Sequence, residues 1–364
     1  MPRSLNYTQQ PWTQTYSEII DVRSQSEFAE DRVPGAINLP VLNDAQRAKV
    51  GTIYKQICPF EARKVGASLV AENIARHLDQ HFAHKDKHYR PLVYCWRGGQ
   101  RSNSMAMVLS QIGWSVTVLE GGYKTYRAYV RDQLTSLPEQ LTFRVLGGLT
   151  GSGKTYILQQ LAQHGIQVLD LEGLANHRGS LLGQEWESKE ILSPLPPSSP
   201  APPHPISLSP QPSQKYFESL LLEQLHRFDA NRPVWVEAES NKIGGIYLPQ
   251  SLWQQMKQSE FLEIELPLTV RIEWLLQEYP HFIACPDLLK RKLGHLKSRY
   301  GREKINHWYR LIEAEQWHTL VGDLLTCHYD PAYRRSIAKC FSKTQTLQLS
   351  DLSEASINAL INRI

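Results

Sequence analysis

The stretch LTFRVLGGLTGSGKTYILQQL, residues 141–161, restricts the fold more than any other part of the chain. Within it GLTGSGKT, Gly148 to Thr155, matches the pattern G-x-x-x-x-G-K-[ST] in full. A strand from Phe143 to Leu146 precedes it, and a stretch with apolar residues at helical spacing follows. Such a loop needs a strand that turns into a helix. Its glycines let backbone N–H groups converge on phosphate oxygens, and the helix N-terminus adds a favourable dipole. A parallel α/β sheet with a phosphate-binding loop is therefore expected, with Gly148, Gly151, Ser152, Gly153, Lys154 and Thr155 as its contacts. Lys154 would hold a terminal phosphate as a point charge. The Thr155 hydroxyl would ligate Mg²⁺ where a metal is used.

Two later segments extend the same sheet. IQVLD reads as a strand ending at Asp170, and RPVWVEAES as a buried strand from Pro233 to Val236, with FLEIELP as the next candidate. In such loops an Asp ends the later strand, whereas here Glu237 does, with Glu239 two residues on. Phosphate binding is thus strongly signalled and nucleotide hydrolysis is not. Asp170, Glu172, His177 and Arg178 fall just past a strand, at the sheet edge where ligands bind. His177 alone would read as structural. Beside Arg178 and the glycine loop it reads as a site group.

A second cradle lies upstream in YCWRGGQRS. Cys95 follows the apolar run PLVY and precedes a helix marked by Met105, Val108, Leu109 and Ile112. Only a thiolate is nucleophilic. Loop amides, the helix dipole, Arg97 and Arg101 would all lower the thiol's pKa in an exposed, electropositive setting. The same groups would bind an anion beside the sulfur. The other cysteines, Cys58, Cys285, Cys327 and Cys340, form no CxxC pair and read as small buried hydrophobes.

At 364 residues two domains are expected, 1–137 and 138–364. Strands alternate with helices in both, so both are α/β. The stretch 193–213 is so rich in proline that it reads as an extended or disordered surface insert. Residues 270–340 read as helical and basic, with Trp274, Trp308 and Trp317 as core residues. No apolar run is long enough to span a membrane and the N-terminus lacks signal-peptide features, which points to the cytoplasm. A net charge of +4 does not by itself argue for nucleic acid. Its distribution does. Between Leu288 and Lys304, Lys290, Arg291, Lys292, Lys297, Arg299, Arg302 and Lys304 face one acid, Glu303. Charge alone also fits a solvated helix face.

DVRSQSEFAEDRVPGAINLP (21–40), CWRGGQRS and LEGGYKTYR resemble a rhodanese domain. Followed by GLTGSGKT, LDLEGLANHRGS, QPSQKYFE and VEAESNKIG, from about residue 15 to Tyr333, they resemble the tRNA 2-selenouridine synthases. The resemblance implies an N-terminal rhodanese-like parallel sheet domain and a P-loop NTPase-like α/β domain with a helical basic C-terminal part. It implies a transferase that geranylates wobble 2-thiouridine in tRNA from geranyl diphosphate. Selenium from selenophosphate then replaces the geranylated sulfur. Cys95 would carry selenium as a perselenide or orient selenophosphate. No tightly bound cofactor, no resident metal and no membrane partner is implied, and Lys290, Arg291, Lys292, Lys297, Arg299 and Arg302 would meet tRNA. The departures are the proline-rich insert and Glu237 in place of Asp. The alternative is a rhodanese-type sulfurtransferase coupled to a P-loop nucleotide-binding or kinase domain, although no lid arginines or acceptor site stand out. An inactive rhodanese fold serving as a docking module would commonly lack the cysteine. A C-x5-R phosphatase loop would lack its acid donor and leave the P-loop idle.

Overall fold

A computed structural model of the chain describes residues 4–178, 182, 211–341 and 344–363. It divides into two compact units, Met1–Leu134 with Pro212–Glu223, and Thr135–Gln211 with Gln224–Ile364.

The first unit is built on five strands, β1 (Asn6–Thr8), β2 (Glu18–Asp21), β3 (Ile37–Asn38), β4 (Pro91–Tyr94) and β5 (Thr117–Leu119). They form one sheet in the order β1-β5-β4-β2-β3, parallel throughout. Parallel neighbours need crossovers, which run through α1 (Gln25–Glu30), α2 (Asp44–Gln56), α3 (Pro59–His77) and α4 (Gln100–Ile112), and α5 (Tyr123–Ser136) follows β5. All four residues of β4 are buried, as a continuous apolar run in the middle of a covered sheet should be. Capping boxes start α1 at Ser24 and Glu27 and α2 at Asn43 and Gln46.

A division at residue 137 omits one segment. Pro212–Glu223 belongs with the first unit because its side chains bond there. Ser219 Oγ donates to Asp31 Oδ1 at 2.9 Å, Arg32 donates to the Tyr216 hydroxyl at 2.6 Å, and Lys215 pairs with Glu30 at 2.5 Å. Asp31 is the hub. It also accepts from the Tyr123 hydroxyl at 2.7 Å, and its carbonyl accepts from Arg23 at 2.6 Å. Arg23, 1% exposed, is further held by Asp21 and lies 4.2 Å from the Tyr123 ring centroid.

The second unit contains β6 (Phe143–Gly148), β7 (Gln167–Leu169), β8 (Val234–Glu237), the small pair β9 (Lys242–Ile243) and β10 (Ile246–Tyr247), β11 (Glu260–Glu265) and β12 (Thr344–Gln348). Five of them form a parallel sheet in the order β12-β11-β6-β8-β7. Helices α6 (Lys154–Gln163), α7 (Leu171–Ala175) and α8 (Gln214–Leu225, mostly in the first unit) precede β8 in sequence. After α9 (Gln250–Gln258) and β11 comes a helical run: α10 (Leu268–Glu278), α11 (Pro280–Ala284), α12 (Pro286–Gly294), α13 (Lys297–Glu313), α14 (Trp317–Leu324) and α15 (Asp330–Cys340). The strand β12 and α16 (Glu354–Ile361) close the sheet, an addition the composition did not suggest.

In α13 the buried residues Ile305, Trp308, Leu311 and Ile312 recur at helical spacing, which seats one face in a core with Leu289, Leu293 and Leu320. Of the three tryptophans expected in the core, only Trp308 is fully buried, and Trp274 and Trp317 are half-buried. The cysteines reverse their expected order. Cys58, Cys285, Cys327 and Cys340 are half-buried, and Cys95 is the buried one. The proline-rich stretch lies outside the described residues apart from Gln211–Ser213.

Candidate active site

Each expected cradle follows the central strand of its own five-stranded parallel sheet, β4 before Cys95 and β6 before the glycine loop. The C-terminal edge of such a sheet is where a helix N-terminus can face a ligand.

In the first unit Cys95 is 3% exposed and packs in the hydrophobic core, so the exposed thiol expected from sequence is buried instead. The reason lies in the turn LEGG. Tyr123 N–H donates to the Cys95 carbonyl at 2.8 Å and Lys124 N–H to that of Trp96 at 3.2 Å, so α5 begins directly on the cysteine loop. Gly122 has φ +62°, and a side chain there would drive its Cβ to 2.2 Å from the Cys95 oxygen. Trp96 stacks on Tyr123 at 5.1 Å. The sulfur lies 3.2 Å from Ser102 Oγ, whose single proton can serve either the sulfur or the Gly99 carbonyl at 3.1 Å. Arg97 is exposed. Arg101 is engaged by Glu27 at 2.8 and 3.3 Å, so its charge is already partnered. Burial pushes the Glu27 carboxyl up, but the hydrogen bond and charge of Arg101 outweigh it and hold the group below its ordinary range.

In the second unit a cavity of about 690 Å³ opens over the glycine loop. It is lined by Gly151 to Thr155, by Asp170, Glu172 and Glu239, and by Arg178 and Arg299. Gly153 caps α6 in the left-handed region at φ +69°, which turns the loop into the helix. Lys154 Nζ donates to the Gly148 carbonyl at 2.9 Å. The Thr155 hydroxyl donates to Glu172 Oε2 at 2.9 Å, and the Glu172 N–H donates to Glu237 Oε1 at 2.6 Å. Glu237 is 1% exposed, and its other oxygen and Ser152 Oγ have no hydrogen-bond partner among the described residues. Burial raises the carboxyls of Glu172, Glu237 and Glu239; repulsion from Glu172 adds to it at Glu237 and Glu239, and repulsion from Asp170 adds to it at Glu172. Glu239 is pushed up to about 8. Burial also pulls the Lys154 ammonium down, against the attraction of the three glutamates. Such a site carries negative charge poorly, and it surrounds one lysine with acids that can stay protonated.

Asp170 caps α7 by accepting from Gly173 N–H at 2.7 Å and lines the cavity. Arg178 lines it too, paired with Glu278 at 2.7 Å. His177 sits one residue before Arg178 and is not among the lining residues. Several lining residues were not expected from sequence: Tyr156 and Trp274, with ring centroids 5.2 Å apart, and Tyr333, whose hydroxyl accepts from Gly148 N–H at 3.2 Å. Arg271, 3% exposed, donates to the Thr150 carbonyl at 2.9 Å and pairs with Asp330 at 2.6 Å. Only YDPAY, Tyr329 to Tyr333, hinted at this in the sequence, as an aromatic and acidic cluster. A second cavity of about 70 Å³ shares Thr150, Leu275, Tyr279 and Tyr329 with the first and is otherwise walled by apolar side chains such as Phe282, Leu320 and Leu324.

The basic run is divided by its partners. Lys290 pairs with Glu313 at 2.9 Å and Lys304 with Asp323 at 2.6 Å, so acids from elsewhere in the fold neutralise part of the local excess. Lys292 is half-buried and its ammonium is pulled down by burial. Arg291, Lys297, Arg299 and Arg302 are exposed, and Arg299 reaches the cavity wall.

The profile of the tRNA 2-selenouridine synthase AAA domain matches residues 141–191 and 206–361, and the rhodanese-like profile matches residues 6–129. The chain belongs to the tRNA 2-selenouridine synthase family. The family member from Shewanella loihica is 32% identical over 350 residues, covering 88% of this chain and 87% of that one. The one from Marinobacter nauticus is 30% identical over 344 residues, covering 86% and 87%. The one from Nitrosomonas europaea is 35% identical over 265 residues, covering 72% of this chain and 63% of its own length. Family membership accounts for the pairing of a rhodanese-like sheet with a P-loop sheet in one chain. No helix among the described residues is long and apolar enough to cross a membrane.

Proposed function

We propose that the chain is a transferase that converts 2-thiouridine in tRNA to 2-selenouridine, in two steps, in the cytoplasm. In the first, the thiocarbonyl sulfur attacks C1 of geranyl diphosphate. The carbon–oxygen bond to the diphosphate breaks, pyrophosphate leaves, and the base loses its N3 proton to water. In the second, selenium from selenophosphate attacks the ring carbon, geranylthiol leaves, and water releases phosphate from selenium.

One observation carries this reading: the phosphate loop opens into a cavity lined by both charged and aromatic side chains and, past Thr150 and Leu275, borders an apolar one. A diphosphate with a hydrocarbon chain has that two-part character, whereas a nucleotide does not need a wall of leucines and phenylalanine. Lys154 and the loop amides would stabilise the leaving pyrophosphate at the wall of this cavity. Where Mg²⁺ accompanies the diphosphate, Thr155 and Glu172 would hold it, and it would add positive charge there. Cys95 would serve selenium transfer as the group that orients selenophosphate, with Ser102 able to donate to its sulfur. Arg291, Lys297, Arg299 and Arg302 would take tRNA phosphates.

The test supplies the purified protein with 2-thiouridine tRNA and each donor separately, followed by mass spectrometry of the nucleosides. Geranyl diphosphate alone should give S-geranylated base, and both donors should give selenouridine. Absence of any geranylated product would overturn the first step.

A further inference from the structure

We propose that the Tyr333 hydroxyl donates a hydrogen bond to the phosphate held by the glycine loop, making it a ligand contact contributed by α15. This rests on the reading that the loop binds a diphosphate.

A phenol has one proton to give and lone pairs to receive. In Tyr333 a lone pair is taken by the N–H of Gly148 at 3.2 Å, which fixes the oxygen beside the first residue of the loop. The proton must then point elsewhere, and among the described residues the hydroxyl donates to no acceptor. Tyr333 also lines the cavity together with Lys154, so that is where the proton can be used. Lys154 Nζ lies 5.1 Å from the centroid of the same ring while donating to the Gly148 carbonyl. The ammonium and the phenol thus bracket one residue, Gly148, from its two polar atoms.

The placement is enforced from behind. Asp330, the first residue of α15, is held by Arg271, and the same guanidinium donates to the carbonyl of Thr150 within the loop. One buried side chain therefore sets both the loop and the helix that carries Tyr333. Burial pushes the phenol above its ordinary range, so it remains a donor at every working pH.

Inorganic pyrophosphate is the probe, titrated calorimetrically into the full chain. Tyr333→Phe removes the oxygen and keeps the ring over Lys154. It should weaken pyrophosphate about tenfold to hundredfold, the usual range for a hydrogen bond to a charged group. A hydroxyl that only braces Gly148 would lower the melting temperature and leave affinity alone, and that result overturns the proposal. If Tyr333→Phe fails to fold, 3-fluorotyrosine at 333 keeps the packing and sharpens the donor. Pyrophosphate should then bind at least as tightly as to the parent protein, and weaker binding overturns the proposal. Pyrophosphate binding by the parent protein without geranyl transfer would sink the prenyl reading and leave Tyr333 in place. A parent protein that binds no pyrophosphate sinks both.

Discussion

Thr155 donates its hydroxyl to Glu172 Oε2 at 2.9 Å, which ties the first turn of α6 to the first turn of α7. Glu172 in turn anchors on Glu237 through its N–H, so the helix after the phosphate loop, the helix after β7 and the end of β8 share one polar chain. Buried carboxyls this close cannot all ionise cheaply, and their proton content should govern how the loop receives an anion.

The pH dependence follows with a definite sign. The Glu239 carboxyl, ordinarily near 4.5, titrates at about 8 in the folded chain. The folded state keeps a proton that the unfolded state releases, so the stability it contributes is complete below 4.5 and is lost as pH rises to about 8. The melting temperature of the unliganded protein should fall across that window, and Glu239→Gln should flatten the fall. Pyrophosphate affinity should drop as pH passes 8 and a carboxylate comes to face the anion. An affinity as steep in Glu239→Gln as in the parent would remove this residue from the explanation.

Lys154→Ala should lower the rate of geranyl transfer about 10²- to 10³-fold, by analogy with loss of one oxyanion donor. Selenation of tRNA supplied already geranylated should suffer much less. Single-turnover rates for the two half-reactions separate these outcomes. Equal loss in both would mean that one phosphate site serves both donors.

Cys95→Ser should make geranylated tRNA accumulate with no selenouridine formed, because Cys95 orients the selenium donor and takes no part in geranyl transfer. The substitution is nearly isosteric in a buried position, so circular dichroism should change little. Selenouridine at the parent rate would take Cys95 out of the mechanism.

The central strands were legible in the sequence because they are mostly apolar runs that end at glycine-rich turns, as in PLVY before Cys95 and FRVL before Gly148, whereas the polar edge strands β1 and β12 were not. The glycine loop and the glutamates after β8 were legible for the same reason: short spacing fixes their placement. The environment of Cys95 was not. Its burial depends on Gly122 and Tyr123, which a sequence shows only as a neighbouring motif. Arg101 looked like an anion ligand until Glu27, distant in sequence, took it. Tyr333 and Arg271 were missed because contact with Gly148 and Thr150 comes from the packing of α10 and α15, and no periodicity encodes it.

The basic face gives the sharpest discrimination between residues of one run. Arg291, Lys297, Arg299 and Arg302 are exposed, whereas Lys290 and Lys304 already neutralise Glu313 and Asp323. A cation committed to an intramolecular acid displaces few counterions when it meets a phosphate. Each phosphate contact adds about 0.7–0.9 to the slope of log K against log[salt]. Replacing Arg291, Lys297, Arg299 and Arg302 together by Gln should therefore weaken tRNA binding and flatten that slope by up to roughly 3. Melting temperature should hardly move, since exposed charges contribute little. Lys304→Gln should do the opposite. It leaves Asp323, which also accepts from the Trp308 indole at 2.6 Å, without its ammonium, and should lower the melting temperature slightly while sparing the salt slope. Binding measured by filter retention across a salt series decides it. A slope unchanged in the fourfold variant would show that tRNA meets the protein elsewhere.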